Sequence, residues 1–483
     1  MPVVLTTDAL IFVLIAVVAA SAWHIGRHEH LLAPWRRVAH SRGGMVAAVI
    51  LAVFVVVGLL DSLHFRPRLP GEAGGKVNYA VDVASVLDVI AAPLRDRREK
   101  TYSAPLAAHL LSKETVTMPD GTEARVFPRL MYGGSHLKDP ESERGPDIAK
   151  RLVAGVAVAA LTWNALLLVA VLWLSQRHGH KVRRTWSAIW RGETAVPWRE
   201  MLVTAGLLCL VIAPMLVLAA KYHVLGTDKV GQDVFYLTLK SIRTGLVIGT
   251  LTTLVMLPFA LLFGILAGYL RGWVDDVIQY VYTTLNSIPG VLLIAASVLI
   301  LQGVIDRHQE WFQTSSERAD ARLFLLCMIL GVTSWTGLCR LLRGESLKLR
   351  ELDYIQAARA FGVSDARIVA RHILPNVMHI VLIAIVMDFS GLILAEAVLS
   401  YVGVGVDPSM NSFGTMINAA RMEMARDPMV WWSLASAFAF MLLLVLSANL
   451  FADAVRDAFD PRIRGRVATP GFLSKYLPAF PRR

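Results

Sequence analysis

Gln356-Ala357-Ala358-Arg359-Ala360-Phe361-Gly362 is a basic, amphipathic stretch between two apolar runs, and it continues through Ser364 and Asp365 to Ile373-Leu374-Pro375. From Leu347 to Ala360 the apolar residues Leu349, Leu352, Ile355 and Ala358 recur every three positions, with Arg350, Glu351, Asp353 and Arg359 interleaved. That spacing predicts a helix with one apolar side. Gly362 is then suited to a left-handed cap, Ser364 with Asp365 to capping the next helix, and Pro375 to closing it. The expected result is two short helices meeting at Phe361–Gly362, with small alanines permitting close approach. A water-facing hairpin within a membrane-buried chain needs something to rest on. Periodicity alone leaves two choices open, a protein partner or the lipid headgroups.

The rest of the chain supplies the membrane. Hydrophobic residues make up 55% of its 483 residues, and the mean hydropathy is +0.54. Each span must cross roughly 30 Å of hydrocarbon, and nine apolar runs are long enough: about 8–23, 44–63, 152–175, 201–220, 242–268, 277–304, 321–341, 379–400 and 429–451. An all-α polytopic membrane protein is expected, and a soluble fold is excluded. The net charge of +11 does not point to nucleic acid, because Lys and Arg concentrate in short loops as the positive-inside rule requires. Arg27, Arg36, Arg37 and Arg42 lie in the first such loop, and Arg177, Lys181, Arg183, Arg184, Arg191 and Arg199 in another. Both are placed in the cytoplasm, as are the loop 343–378 and the basic tail with Arg456, Arg462, Arg464 and Arg466. Nine spans then put the amino terminus outside and the carboxyl terminus inside. The first span does not read as a cleaved signal, since its basic residues follow the apolar run. Cys209, Cys327 and Cys339 fall in or beside apolar runs without metal-ligand spacing and read as buried thiols.

Five regions follow: an amino-terminal extension with two spans (1–63), an external loop or cap (64–150), an extra span with a basic cytoplasmic loop (151–200), a core (201–466) and a cytoplasmic tail (467–483). The external segment alternates around Pro119-Asp120-Gly121, which predicts a hairpin. A docking surface, a structural cap and a plain spacer are all compatible with it.

Gln356-Ala357-Ala358, Gly362 four residues on, and Ile373-Leu374-Pro375 resemble the coupling-loop signature of ABC importer permeases, with Gln356 where Glu is usual. His223 to Val234, containing Gly226, Thr227, Asp228, Gly231 and Asp233, is similar to the external signature of the second (C-type) permease of dipeptide and oligopeptide importers. There Gln232 replaces the usual Arg. Leu399 to Val406 with Asn411 to Gly414, and Arg456 to Arg462, resemble later segments of the same family. The likeness covers about 201–466, and Trp35 to Leu60 resembles the family's amino-terminal region weakly. It implies a type I ABC importer-like core with a cytoplasmic coupling hairpin. It also implies a second permease subunit, one or two ABC ATPase subunits, an extracytoplasmic solute-binding protein, and residence in a bacterial cytoplasmic membrane. Peptides or peptide-like solutes are the substrates implied. The residues implied to couple to the ATPase are Gln356, Ala357, Ala358, Phe361, Gly362, Ser364, Asp365, Ile373, Leu374 and Pro375.

No catalytic engine is expected on the chain itself. Gly74-Gly75-Lys76 lacks the spacing of a phosphate-cradling loop, and no His-Glu-x-x-His, Gly-x-Ser-x-Gly or Cys-x-x-Cys pattern occurs. His24, His28, His30 and His40 sit beside arginines and read as a basic anchor rather than a metal site. ATP and Mg are therefore expected on partner subunits, with no cofactor or metal here. Asp388 and Glu396 lie in an apolar run, where a lipid-facing charge would cost at least about 2 to 3 kcal/mol. They are expected to face protein, either lining the path as gating groups or fixing one helix to another. Asn286, Ser287, Pro289 and Gly290 interrupt another run and predict a kink, pore-facing or packed. The competing class is an ion-gradient-driven secondary transporter or channel, opposed by the lack of a clear internal repeat. A membrane-bound enzyme or receptor would need a catalytic constellation that is not present in the sequence.

Overall fold

The structure, a computed structural model, describes residues 1–68, 79–117, 123–312 and 314–459. The expected turn at Pro119-Asp120-Gly121, the Gly74-Gly75-Lys76 triplet, and the tail with Arg462, Arg464 and Arg466 lie outside the described residues. Three helices open the chain: α1 (Thr6–Arg27), α2 (Glu29–His40) and α3 (Arg42–Ser62). A small polar unit follows, with β1 (His64–Phe65), β2 (Ala84–Ser85), α4 (Val86–Ile90), α5 (Ala92–Arg95), β3 (Glu114–Thr117) and β4 (Glu123–Val126). β1 pairs antiparallel with β2 through His64↔Ser85, and β3 with β4 through Thr117↔Glu123. A helical hairpin comes next, α6 (Pro140–His178), α7 (Val182–Arg191) and α8 (Trp198–Ala219).

The remaining helices form the bundle that carries the site. They are α9 (Val234–Leu270), α10 (Trp273–Ser287), α11 (Gly290–Arg307), α12 (Ser315–Ser334) and α13 (Thr336–Arg350). The chain continues as α14 (Asp353–Ala360), α15 (Asp365–Ile368), a π-turn (Val369–Ile373), α16 (Leu374–Val402), α17 (Phe413–Glu423) and α18 (Trp432–Phe459). Among the described residues, nine helical stretches are long and apolar enough to cross a membrane. The mostly helical, polytopic architecture read from the sequence is the one observed.

Several boundaries differ for local reasons. Within the segment 64–150, helix α6 already begins at Pro140, where Asp139 accepts a hydrogen bond from the Glu141 backbone N–H. The run 277–304 is not one kinked span but two helices parted at Ile288–Pro289, of which only Gly290–Arg307 qualifies as a span. The helix expected over Leu347–Ala360 breaks at Glu351–Leu352, which leaves α14 with eight residues.

α9 organises the bundle. At about 1.5 Å per residue its 37 residues reach some 55 Å, so both ends project beyond the hydrocarbon. Near its carboxyl end Gly264 and Gly268, four residues apart, lie against the backbone of α13. A Cβ on Gly268 would sit 2.5 Å from the Arg343 carbonyl oxygen, and one on Gly264 2.8 Å from that of Cys339. This is the small-residue spacing that lets membrane helices approach backbone to backbone. Ile265, Leu342, Ile355, Ile368, Ile373, Val377 and Val381 close around that contact as one apolar cluster. A second cluster at the other end joins α3, α9, α16, α17 and α18 through Phe54, Phe235, Ile393, Phe413 and Trp432. Cys327 and Cys339 are buried and Cys209 half-buried, all as free thiols.

Candidate functional site

At the carboxyl end of α9 the expected hairpin is present, and its geometry follows from its caps. Gly362 takes φ +75°, and the Gly362 N–H donates to the Arg359 carbonyl at 2.9 Å while the Val363 N–H donates to that of Ala358 at 3.1 Å. These two bonds make the left-handed closure that glycine permits at a helix end. Ser364 occupies the N-cap position of α15 but its side chain makes no capping bond, contrary to expectation. Asp365 instead accepts a hydrogen bond from the Tyr269 hydroxyl at 2.6 Å, so the carboxylate pins the hairpin to α9. Arg350 Nη1 adds a bond to the Tyr269 carbonyl at 2.8 Å. Tyr269 was not singled out in the sequence, since nothing local marks it, and Arg350 was read only as one of the interleaved charges.

The inner face of the hairpin is apolar and closed. Ile355, Ile368 and Ile373 are fully buried, with Ala358, Val363 and Leu374 packed beside them. Leu352, expected on that face, is turned outward. Pro375 does not close a helix. It sits in the first turn of α16, and the π-turn just before it widens the ladder where a proline has no N–H to donate. The outer face carries Gln356, Ala357, Arg359 and Phe361. Phe361 is 88% exposed, an aromatic tip standing clear of the described residues. Gln356 spends its amide N–H on the Glu351 carbonyl at 3.2 Å. What results is an exposed aromatic tip on a rigidly backed elbow.

The five residues of the external signature lie at the opposite end of α9, and they are covered rather than open. Asp233 caps α9, accepting from the Phe235 N–H at 2.8 Å, and contacts His223 Nδ1 at 2.7 Å. His223 Nε2 reaches Glu99 at 3.3 Å, and Glu99 also accepts the N–H groups of Met131, Tyr132 and Gly133 at 2.8, 2.9 and 3.0 Å. Burial alone would raise Glu99, but the His223 contact and these N–H groups hold it down at about 2. Burial alone would lower His223, but hydrogen bonds to Asp233 and Glu99 carry it up to about 9. Thr227 donates to the Thr101 carbonyl and accepts from the Ser103 N–H, while Trp432 Nε1 donates to the Thr227 carbonyl. Gly231, at φ +71°, lies directly against the Glu99 backbone, and Gly226 beside Ser103 and Trp432. Asp228 folds its own loop by accepting from the Val230 and Gln232 N–H groups. Glu99 and Trp432 were missed in the sequence because each is more than a hundred residues from its partner.

The carboxylates within the spans part company. Glu396 is buried and accepts from the Ser400 and Ser412 hydroxyls at 2.6 and 2.9 Å, which ties α16 to the start of α17. Asp388 is half-buried and makes no hydrogen bond or ion pair among the described residues. Asn286 accepts from the Thr336 hydroxyl at 3.1 Å, and Pro289 is exposed at the break between α10 and α11. The structure does not bring these four together. Among the described residues no group of three or more His, Cys, Asp or Glu could hold a metal.

The described residues form a polytopic helical bundle with a solvent-facing elbow. Residues 260–465 match the family described as binding-protein-dependent transport system inner membrane component. The chain is 32% identical over 242 residues to the oligopeptide transport system permease protein OppC of Mycobacterium tuberculosis, covering 50% of this chain and 77% of that protein. It is 34% identical over 244 residues to the glutathione transport system permease protein GsiD of Pectobacterium atrosepticum, covering 50% and 73%. A solved chain of the MetNI methionine ABC transporter, inward facing, aligns with 47% of this chain and 98% of its own length at 16% identity and a TM-score of 0.36. The chain belongs to the binding-protein-dependent transport system inner membrane components. It is a multi-pass inner-membrane permease.

Proposed function

We propose that this chain is one permease subunit of an ATP-driven importer of peptides or peptide-like solutes, forming the path with a second permease. The relatives named above are permeases of oligopeptide and glutathione transport systems, and the substrate class is taken from them. In this reading the hairpin faces the cytoplasm, the amino terminus lies outside, and an ABC ATPase subunit holding ATP and Mg receives Phe361 in a cleft. A solute-binding protein delivers cargo on the far side. Gln356, Ala357, Ala358 and Gly362 shape the docking knob, and Asp365 with Ile373, Leu374 and Pro375 anchors it. Asp388 is the gating candidate, because its carboxylate is unspent. Glu396 and Asn286 act as helix fasteners through their hydroxyl partners, and Pro289 as a break.

The observation that carries the reading is the combination of an apolar, closed inner face with an exposed Phe361. Movement of the knob is thereby transmitted through α9, α13 and α16 rather than absorbed locally. Coupling requires that the hairpin bind the nucleotide-bound and nucleotide-free ATPase states unequally. Phe361→Asp and Gly362→Val are expected to abolish ATPase co-purification and uptake while the protein still inserts. Normal transport and ATPase recovery in both variants would overturn the reading. An ion-gradient transporter predicts full activity from the purified chain alone, and reconstitution without ATPase tests that directly.

A further inference from the structure

At the end of the bundle opposite the hairpin, a cavity of about 330 Å³ opens where the added amino-terminal and inserted segments meet α9 and α12. That volume is at the small end of ligand pockets. Its lining is charged. Asp61 and Asp88 share Lys240, whose Nζ lies 2.5 Å from Asp61 Oδ1 and 3.1 Å from Asp88 Oδ1. Arg243 is paired with Asp8 at 2.6 Å and has Asp320 at 3.7 Å. The two deep cations are therefore committed to carboxylates of the protein.

Two groups on the wall are not committed, and a third is committed through one oxygen only. Arg95 of α5, half-buried, makes no hydrogen bond or ion pair among the described residues, and neither does Asp82. Asp61, 2% exposed, spends Oδ1 on Ser85 and Lys240 while Oδ2 accepts no hydrogen bond among the described residues. A guanidinium is the side chain best fitted to grip a carboxylate in two parallel bonds. Open carboxylate oxygens on the same wall are acceptors for an ammonium. We infer that this cavity is a binding site for a small zwitterion, an amino acid or short peptide, with Arg95 receiving its carboxylate and Asp61 with Asp82 its ammonium. Asp82, Asp88 and Arg95 belong to the inserted segment, so the site is built by parts that lie outside the family match at 260–465. The permease reading enters only in the choice of a dipeptide as probe.

The test is calorimetric titration of the full chain in nanodiscs with alanyl-alanine, its N-acetyl form and its carboxyl amide. The free dipeptide is expected to bind, and both blocked forms to bind roughly tenfold or more weaker, the scale of one charge-assisted hydrogen-bond pair. Arg95→Ala, which breaks no existing bond, should weaken the free dipeptide to the level of the amide and leave the amide unchanged. Asp82→Asn should likewise shrink the difference between free and acetylated forms. Equal affinity for all three probes, no heat from any of them, or an unaltered carboxylate preference in Arg95→Ala would overturn the inference. ATPase co-purification is read on the same preparation. If it persists without dipeptide binding, only the cavity inference falls; if it is lost from wild type, the permease reading falls and the titration still judges the cavity.

Discussion

His223 is held between two carboxylates, and its energetic role has a sign that can be worked out. With a folded value near 9 against about 6.5 unfolded, it holds its proton more tightly when folded. Its contribution to stability is full below about pH 6.5 and is lost as pH rises toward 9. Glu99, at about 2 when folded and about 4.3 unfolded, contributes fully above that unfolded value and loses it as pH falls toward 2. Both contributions are complete between about pH 4.3 and 6.5. Arg97 and Lys221 line the same pocket wall as His223 and Asp233. The melting temperature of the detergent-solubilised wild type is therefore expected to fall between pH 6.5 and 9 more steeply than that of His223→Asn. Parallel alkaline slopes in the two proteins would show that the histidine carries no such linkage. At fixed pH 6, Glu99→Ala should cost roughly 3 to 5 kcal/mol, as expected when one member of a buried charged pair is removed.

The hairpin shows how far a sequence can be read at the level of elements. Gly362 was legible as a left-handed cap because only its local context matters, and Ile355 and Ala358 were legible as inner-face residues from their spacing. The π-turn was not. Ile368 and Ile373 are both fully buried although five residues apart, a spacing that an α-helical period places on different faces. A turn closed by i→i+5 bonds brings them to one side and at the same time spares Pro375 a missing donor. The capping role read for Ser364 failed for a related reason: the partner that claims the neighbouring Asp365 is Tyr269, ninety-six residues away. Deleting Ala370, an exposed residue within the π-turn, should restore a four-residue spacing between the two isoleucines. It would also force Pro375 into a regular helix interior, at a cost of about 3 kcal/mol. Adding Pro375→Ala to the deletion should recover most of that loss in thermal denaturation. A deletion that is harmless on its own would mean that the widened turn plays no part in seating the proline.

For the molecule as a whole, the two ends of α9 are held by different chemistry. The hairpin end is closed mainly by packed aliphatic side chains, whereas the opposite end is fastened by buried ionic contacts that reach into α1, α3 and the segment 64–150. α1 is the clearest case. Its apolar body is largely exposed, yet Thr7 and Asp8 at its start are fully buried. The Thr7 N–H donates to Asp320 at 3.0 Å, Asp8 receives Arg243 at 2.6 Å, and His64 meets Asp8 at 2.7 Å. Thr7 and Asp8 therefore pin the start of α1 to α9 and α12 while Leu10 and Ile11 pack against the bundle, an arrangement that hydropathy alone could not disclose. Asp8→Ala leaves the Arg243 guanidinium, itself 5% exposed, with the Ser62 and Thr7 hydroxyls and only the more distant Asp320 as a carboxylate, and should lower stability by about 3 to 5 kcal/mol. Adding Arg243→Met is expected to recover much of the loss, since an apolar side chain of similar length leaves no buried charge behind, while Asp320 keeps its bonds from Thr7. ATPase co-purification under conditions where Asp8→Ala remains folded should be unchanged, because the lock and the hairpin sit at opposite ends of a helix some 55 Å long. If Asp8→Ala melts with wild type, α1 is held by lipid rather than by the ion pair. If the double variant is less stable than the single one, the guanidinium is supported by Asp320 and the Ser62 and Thr7 hydroxyls without Asp8.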